Sequence, residues 1–228
     1  MLALFYFNKL FAILIPVFIL FLGDTMNVWA LFLSFISSLS VPGCTAKNLV
    51  VETPKEQKSA QVVVLMSTDR PDSNTSMVAD NIVAAYQQAG LSAQLFKVTD
   101  FGADFYAPTA YAQRPAAFTQ FNDAVLAADL VVLVTPEYNA TIPAPLTRVI
   151  NLLSFPNSFD GKKYAIVSLS ISPYAAARAH AGLKTVLKDL HAVVQDDLNL
   201  KVAEVQNATK GSSIYTEHAE KVAELLQK

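Results

Sequence analysis

Residues 129–143 read Asp129-Leu130-Val131-Val132-Leu133-Val134-Thr135-Pro136-Glu137-Tyr138-Asn139-Ala140-Thr141-Ile142-Pro143. The first seven residues hold a continuous apolar run rich in valine, Leu130 to Val134, without alternation. Such a run belongs to a strand covered on both faces, as the centre of a parallel sheet requires. Pro136 ends it, and Pro143 falls in the first turn of an expected helix over 143–153, where the missing N–H costs nothing. Outward from this point, short apolar runs alternate with helical patterns. Strands are expected at 61–66, 93–98, 164–170 and 192–195, and helices at 77–88, 118–127, 175–190 and 215–226, with Gly90 as a stop signal for the first. This order gives an α/β fold, a doubly wound sheet of five parallel strands with helices on both faces. Ligands of such sheets bind beyond the carboxyl ends of the strands, so the loops after strands one, three and four carry the functional question.

The chain has 228 residues and a formal charge of −2. No basic stripe exists to neutralise phosphates, which argues against nucleic acid as a partner. The single cysteine, Cys44, allows no intrachain disulfide and no Cys-based metal site. His180, His191 and His218 lack Cys or acidic partners at ligand spacing, so no metal is expected. Residues 1–44 are almost entirely apolar and stand outside the fold; 45–59 read as a polar linker and 60–228 as one domain. Three readings of 1–44 compete: a membrane hairpin or anchor, a lipoprotein signal ending at Cys44, and a start assigned too far upstream. Lys47, Lys55 and Lys58 after it favour a cytoplasmic domain tethered to the inner membrane.

The first of the three loops is Ser67-Thr68-Asp69-Arg70-Pro71-Asp72-Ser73-Asn74-Thr75. It has no glycine, which removes the dinucleotide and nucleoside-triphosphate motifs. It is a hydroxyl-rich turn before a helix, and two readings stand. Free amides and the helix dipole there attract an anion, with Arg70 adding a charge-assisted bond. Alternatively Ser73 or Asn74 simply caps the helix. Arg70 is the only cation in the turn; Lys97, on the second strand, is expected to project elsewhere.

The segment Thr135-Pro136-Glu137-Tyr138-Asn139-Ala140-Thr141-Ile142-Pro143 resembles the Thr-Pro-Glu-Tyr-Asn-x-x-Ile-Pro loop of the NADPH-dependent FMN reductase family, which includes quinone, azo-dye and chromate reductases. The first loop is similar to that family's Gly-Ser-x-Arg-x-Gly-Ser-Asn-Thr pattern: Arg70, Ser73, Asn74 and Thr75 match, Thr68 stands for Ser, and Ser67 and Asp72 replace glycines. In the third loop Ser170, Ser172, Pro173 and Arg178 fit, while Tyr174, Ala175 and Ala176 replace a glycine pair. The resemblance covers nearly all of 61–226. It implies a flavodoxin-like sheet in the order 2-1-3-4-5 and FMN as cofactor, with NAD(P)H as co-substrate and a small acceptor such as a quinone. It also implies a homodimer or tetramer. By the resemblance Thr68, Arg70, Ser73, Asn74 and Thr75 hold the phosphate, Pro136, Glu137, Tyr138 and Asn139 meet the flavin, and Ser170, Ser172 and Tyr174 complete the site. Hydride transfer needs no acid–base residue, so none is assigned. A flavodoxin-type electron carrier and a degenerate, membrane-tethered binding domain are the alternatives.

Overall fold

The computed structural model of the protein describes residues 61–174, 176–207 and 212–227. The expected hydrophobic segment, the linker and their boundaries with the domain lie outside the described residues, and so does any membrane tether. Among the described residues no helix is long and apolar enough to cross a membrane.

The chain order is β1 (Gln61–Met66), α1 (Asn74–Gln88), β2 (Ser92–Lys97), α2 (Ala116–Ala127), β3 (Leu130–Pro136), α3 (Ala144–Leu152) and β4 (Lys163–Leu169). It continues with α4 (Ala177–Asp189), β5 (Val193–Val194), β6 (Leu200–Val202) and α5 (Ser213–Gln227). The sheet is parallel and runs β2-β1-β3-β4-β5, the expected order. β3 is central, and all seven of its residues are buried. Period-two alternation then divides the core. Val62, Val64 and Met66 face α1 and α5 with Ile82, Tyr86 and Val222, whereas Val63 and Leu65 face α2, α3 and α4 with Phe118, Val149 and Leu183. Each fully buried side chain of this size contributes roughly 1.5–3 kcal/mol of transfer free energy.

Three features differ from expectation. First, the fifth strand is split: β5 pairs with Lys163 and Tyr164, and β6, a strand not expected, pairs with Val167 to Leu169. A 3-10 turn, Asp196–Leu198, separates the two. The gap is bridged by a side chain, since Ile166 donates its amide to Asn199 Oδ1 at 2.9 Å. Second, α1 begins at Asn74 rather than residue 77, because Ser73 caps it by accepting from the Ser76 amide at 3.2 Å. Pro143 likewise is the N-cap of α3, and Pro145 takes the first-turn position. Third, the connection after β2 folds into three 3-10 turns, Val98–Phe101, Ala103–Tyr106 and Pro108–Tyr111. Phe101 and Phe105 pack on Phe118 at ring distances of 5.2 and 5.5 Å. Arg148 of α3 clamps the outside, donating to the Phe105 and Ala107 carbonyls at 3.0 and 2.7 Å and lying 4.4 Å from the Tyr111 ring centre.

Candidate functional site

β1, β3 and β4 end side by side, so their three following loops share one edge of the sheet. After β1, Ser67 is fully buried and donates its hydroxyl to the Val134 carbonyl at 3.0 Å. The Ser67 amide donates to the same carbonyl at 3.1 Å, so the side chain adds a second bond to β3 that a glycine could not make. Asp72, the second residue standing where the family pattern has glycine, keeps a left-handed φ of 49°. Asp tolerates that region better than most residues. Its side chain is exposed.

α1 opens on this turn. Its first protein-bonded amides are Ser76 and Met77, both reaching the Ser73 carbonyl. The amides of Ser73, Asn74 and Thr75 have no partner among the described residues, and the helix dipole sets them at a partial positive charge. Arg70 is exposed and takes part in none of the three ion pairs among the described residues. Lys97 does not project elsewhere as expected: its ammonium donates to Ser76 Oγ at 3.3 Å and pairs with Asp80 at 3.2 Å, along the start of α1. The cap and the free amides therefore coexist. Ser73 spends its hydroxyl on the cap and leaves its amide free.

The second loop is pinned at both ends. The Thr68 and Tyr138 hydroxyls share a hydrogen bond of 2.9 Å, and the Arg70 amide donates to Thr68 Oγ1 at 3.2 Å. Tyr138 and Thr141 exchange backbone bonds of 3.0 Å in both directions, closing a two-residue turn over Asn139 and Ala140. Both central residues have positive φ, 50° and 63°, the geometry of a type I′ turn. Their amides have no protein partner among the described residues. Alanine is strained in this region by roughly 1–2 kcal/mol. Ala140→Gly is therefore expected to raise stability by about 0.5–1 kcal/mol in chemical denaturation, part of the gain being offset by the freer unfolded chain.

The Glu137 side chain is only 8% exposed and points away from the turn. Its carboxylate accepts from the Arg178 and Ala179 amides at 3.0 and 3.1 Å and from Arg178 Nε at 3.0 Å. α4 lacks a capping side chain of its own, because its N-cap is Ala176 at φ 57°. Glu137 thus caps α4 from a distance. Burial pushes its carboxyl upward, yet the bonds from Arg178 and the two amides outweigh burial and hold it below the usual carboxylate range.

In the third loop, Ser170 Oγ accepts from the Ser172 amide at 3.0 Å and Ser172 Oγ from the Tyr174 amide at 3.2 Å. Both hydroxyls shape the turn, and Tyr174 stands 73% exposed at its tip. Ala176 keeps the left-handed conformation that the replaced glycines would have adopted freely. Beside the second loop opens a cavity of about 500 Å³, lined among others by Asp69, Tyr138, Asn139, Thr141 and Ile142. Sequence reasoning passed over two residues here. Asp69 is one of its lining residues, and Tyr106 reaches it from the 3-10 segment, donating its phenol to Asp69 Oδ2 at 3.3 Å. No sequence signal ties Tyr106 to the first loop. Among the described residues no cluster of His, Cys, Asp or Glu is arranged to hold a metal.

The sequence model of NADPH-dependent FMN reductases matches residues 60–206. An NAD(P)H-dependent FMN reductase of Pseudomonas aeruginosa is 31% identical over 134 residues, covering 55% of this chain and 71% of that protein. A quinone reductase of Escherichia coli is 29% identical over 152 residues, covering 64% of this chain and 79% of that protein. Among solved structures, the flavoenzyme NAD(P)H:acceptor oxidoreductase FerB of Paracoccus denitrificans superposes at a TM-score of 0.55 and 24% identity, over 74% of this chain and 91% of that one. An oxidoreductase of Corynebacterium diphtheriae reaches 0.62 at 17% identity, over 74% and 97%. These likenesses of structure speak for the fold.

Proposed function

The chain belongs to the NADPH-dependent FMN reductase family, and we propose on that footing that it carries electrons from NADH or NADPH, through FMN, to a small acceptor such as a quinone. The observation that carries this reading is the pair of donor-rich loops at the ends of β1 and β3. One offers the free amides of Ser73 to Thr75 and the unpaired Arg70; the other offers the free amides of Asn139 and Ala140. This donor set fits FMN. A phosphate dianion suits a helix N-terminus with a cation beside it, and free amides suit the electron-rich pyrimidine edge of a flavin.

Each residue then has a task. Arg70, Asn74, Thr75 and the Ser73 amide hold the phosphate. Thr68 joins the two loops through Tyr138, and Pro136 ends β3 so that the chain turns across the sheet edge. Asn139 presents its amide, and Glu137 fixes the loop to α4. Ser170, Ser172 and Tyr174 form the far wall. FMN held there would supply two-electron redox chemistry between a reduced nicotinamide and the acceptor. With a quinone the sum is one hydride from NAD(P)H and one proton from solvent, giving hydroquinone and NAD(P)⁺.

Titrating the chain with FMN is expected to quench flavin fluorescence at micromolar concentrations; absence of quenching overturns the proposal. Arg70→Ala is expected to weaken FMN roughly tenfold to a hundredfold, the worth of one charge-assisted bond of about 1.5–3 kcal/mol. Riboflavin, lacking the phosphate, should respond little. Equal weakening of both would make Arg70 a brace for the loop. NADH or NADPH should bleach the bound flavin; bleaching by a one-electron donor alone would favour the electron-carrier reading.

A further inference from the structure

The cavity beside the second loop is lined by a carboxylate that forms no ion pair among the described residues. Asp69 is the one ionisable acid or base among its described lining residues apart from the Tyr138 phenol; the others named above are neutral side chains. None of the three ion pairs among the described residues involves it. The nearby cations are committed elsewhere: Lys97 to Asp80, and Arg148 to the Phe105 and Ala107 carbonyls. Arg70, next in sequence, is the residue assigned above to phosphate. Asp69 is also held in place. Tyr106 donates to it, and burial, then the Asp69 charge and that hydrogen bond, push the Tyr106 phenol up to about 12, so the donor persists throughout the working range.

We propose that Asp69, oriented by Tyr106, makes this cavity select acceptors by charge, admitting planar neutral molecules and turning away those that carry sulfonate or carboxylate groups. The rest of the lining suits a flat ring, since Tyr138, Ile142 and Pro143 offer apolar surface while Asn139 and Thr141 supply polar groups. A fixed carboxylate in the lining repels an anion before it seats. At a partly wetted site one such charge changes affinity roughly tenfold.

The inference rests on the flavoenzyme reading, so its test has two arms. In the first, the FMN-loaded protein reduces menadione and a sulfonated naphthoquinone, and the ratio of their kcat/KM values is read. Asp69→Asn keeps a carbonyl acceptor for Tyr106 and removes the charge; the ratio is expected to shift about tenfold toward the sulfonate, and less at high salt, where exposed charges are screened. Tyr106→Phe retains the carboxylate but loses the bond that orients it, and should move the ratio in the same direction by much less than Asp69→Asn does. In the second arm, anthraquinone sulfonate is titrated calorimetrically into the flavin-free chain, where Asp69→Asn should bind it about tenfold more tightly. An unmoved ratio, equal shifts in both variants, or no gain in sulfonate binding overturns the inference. Failure of FMN to bind overturns the flavoenzyme reading, while the calorimetric arm still decides on Asp69.

Discussion

Glu137→Ala is expected to lower stability by about 2–4 kcal/mol, because it strips the N-terminus of α4 of the carboxylate that caps it. For a domain of this size that is a fall in Tm of roughly 5–12 °C. The guanidinium of Arg178 contributes the smaller part: its side chain is 65% exposed, and an ion pair with one such partner is screened and worth little. Arg178→Ala should therefore cost no more than about 1 kcal/mol. The bulk belongs to the buried carboxylate and the two amides. The charge leaves a signature in pH. A carboxyl held below its ordinary value in the folded chain adds stability that is fully present above the unfolded pKa and is lost as pH falls through the folded one. The gap between the wild type and Glu137→Gln should thus be full at neutral pH and close in strong acid, as denaturant midpoints at each pH would reveal. A gap that stays constant into strong acid would mean that shape rather than charge holds α4. FMN affinity should fall in step with stability, since the same residue anchors the loop presenting Asn139.

Acid should also unfasten α5. His218 is 5% exposed and shares a 2.7 Å hydrogen bond with the Tyr86 hydroxyl across α1 and α5. Burial, reinforced by the Lys221 charge, lowers its pKa to about 4. A histidine whose folded pKa lies below its unfolded value of about 6.5 takes up its proton first in the unfolded chain. Its stabilising effect is then whole above about pH 6.5 and drains away as pH falls toward the folded value. The expected loss between pH 7.5 and 4.5 is about 2–3 kcal/mol. His180, also shifted downward, chiefly by burial, adds a loss of the same sign. His218→Gln, which can still meet the Tyr86 hydroxyl, should be less stable at pH 7.5 by about 1 kcal/mol yet show a flatter decline in acid. A variant whose stability fell as steeply as the wild type between these pH values would remove His218 from the account.

The sheet was legible because its three central strands, β1, β3 and β4, are almost entirely buried. Runs such as 61–66 and 129–135 have no other good explanation, and their order follows once parallel crossovers are assumed. β6 was invisible because three residues cannot display a period, and its partner is chosen by β4 rather than by its own sequence. The 3-10 turns after β2 escaped for a related reason: they are shaped by Phe101 and Phe105 dropping onto α2, a contact between distant segments. In the site, residue types at the right spacing marked the loops. What spacing could not convey was the direction of each side chain. Glu137 sits in the most specific motif of the chain, yet its carboxylate is spent on a helix forty residues later. Asp69 sits in the least specific one and faces the cavity.

The broken fifth strand bears on how the sheet meets its surroundings. An uninterrupted outer strand would offer a ladder of open backbone groups on which another chain could grow. Here two residues, a helical turn and three residues share that margin, and the Asn199 amide side chain already occupies the Ile166 position between them. No incoming strand can hold register across that step. The margin on this side is thus a poor template for a further strand.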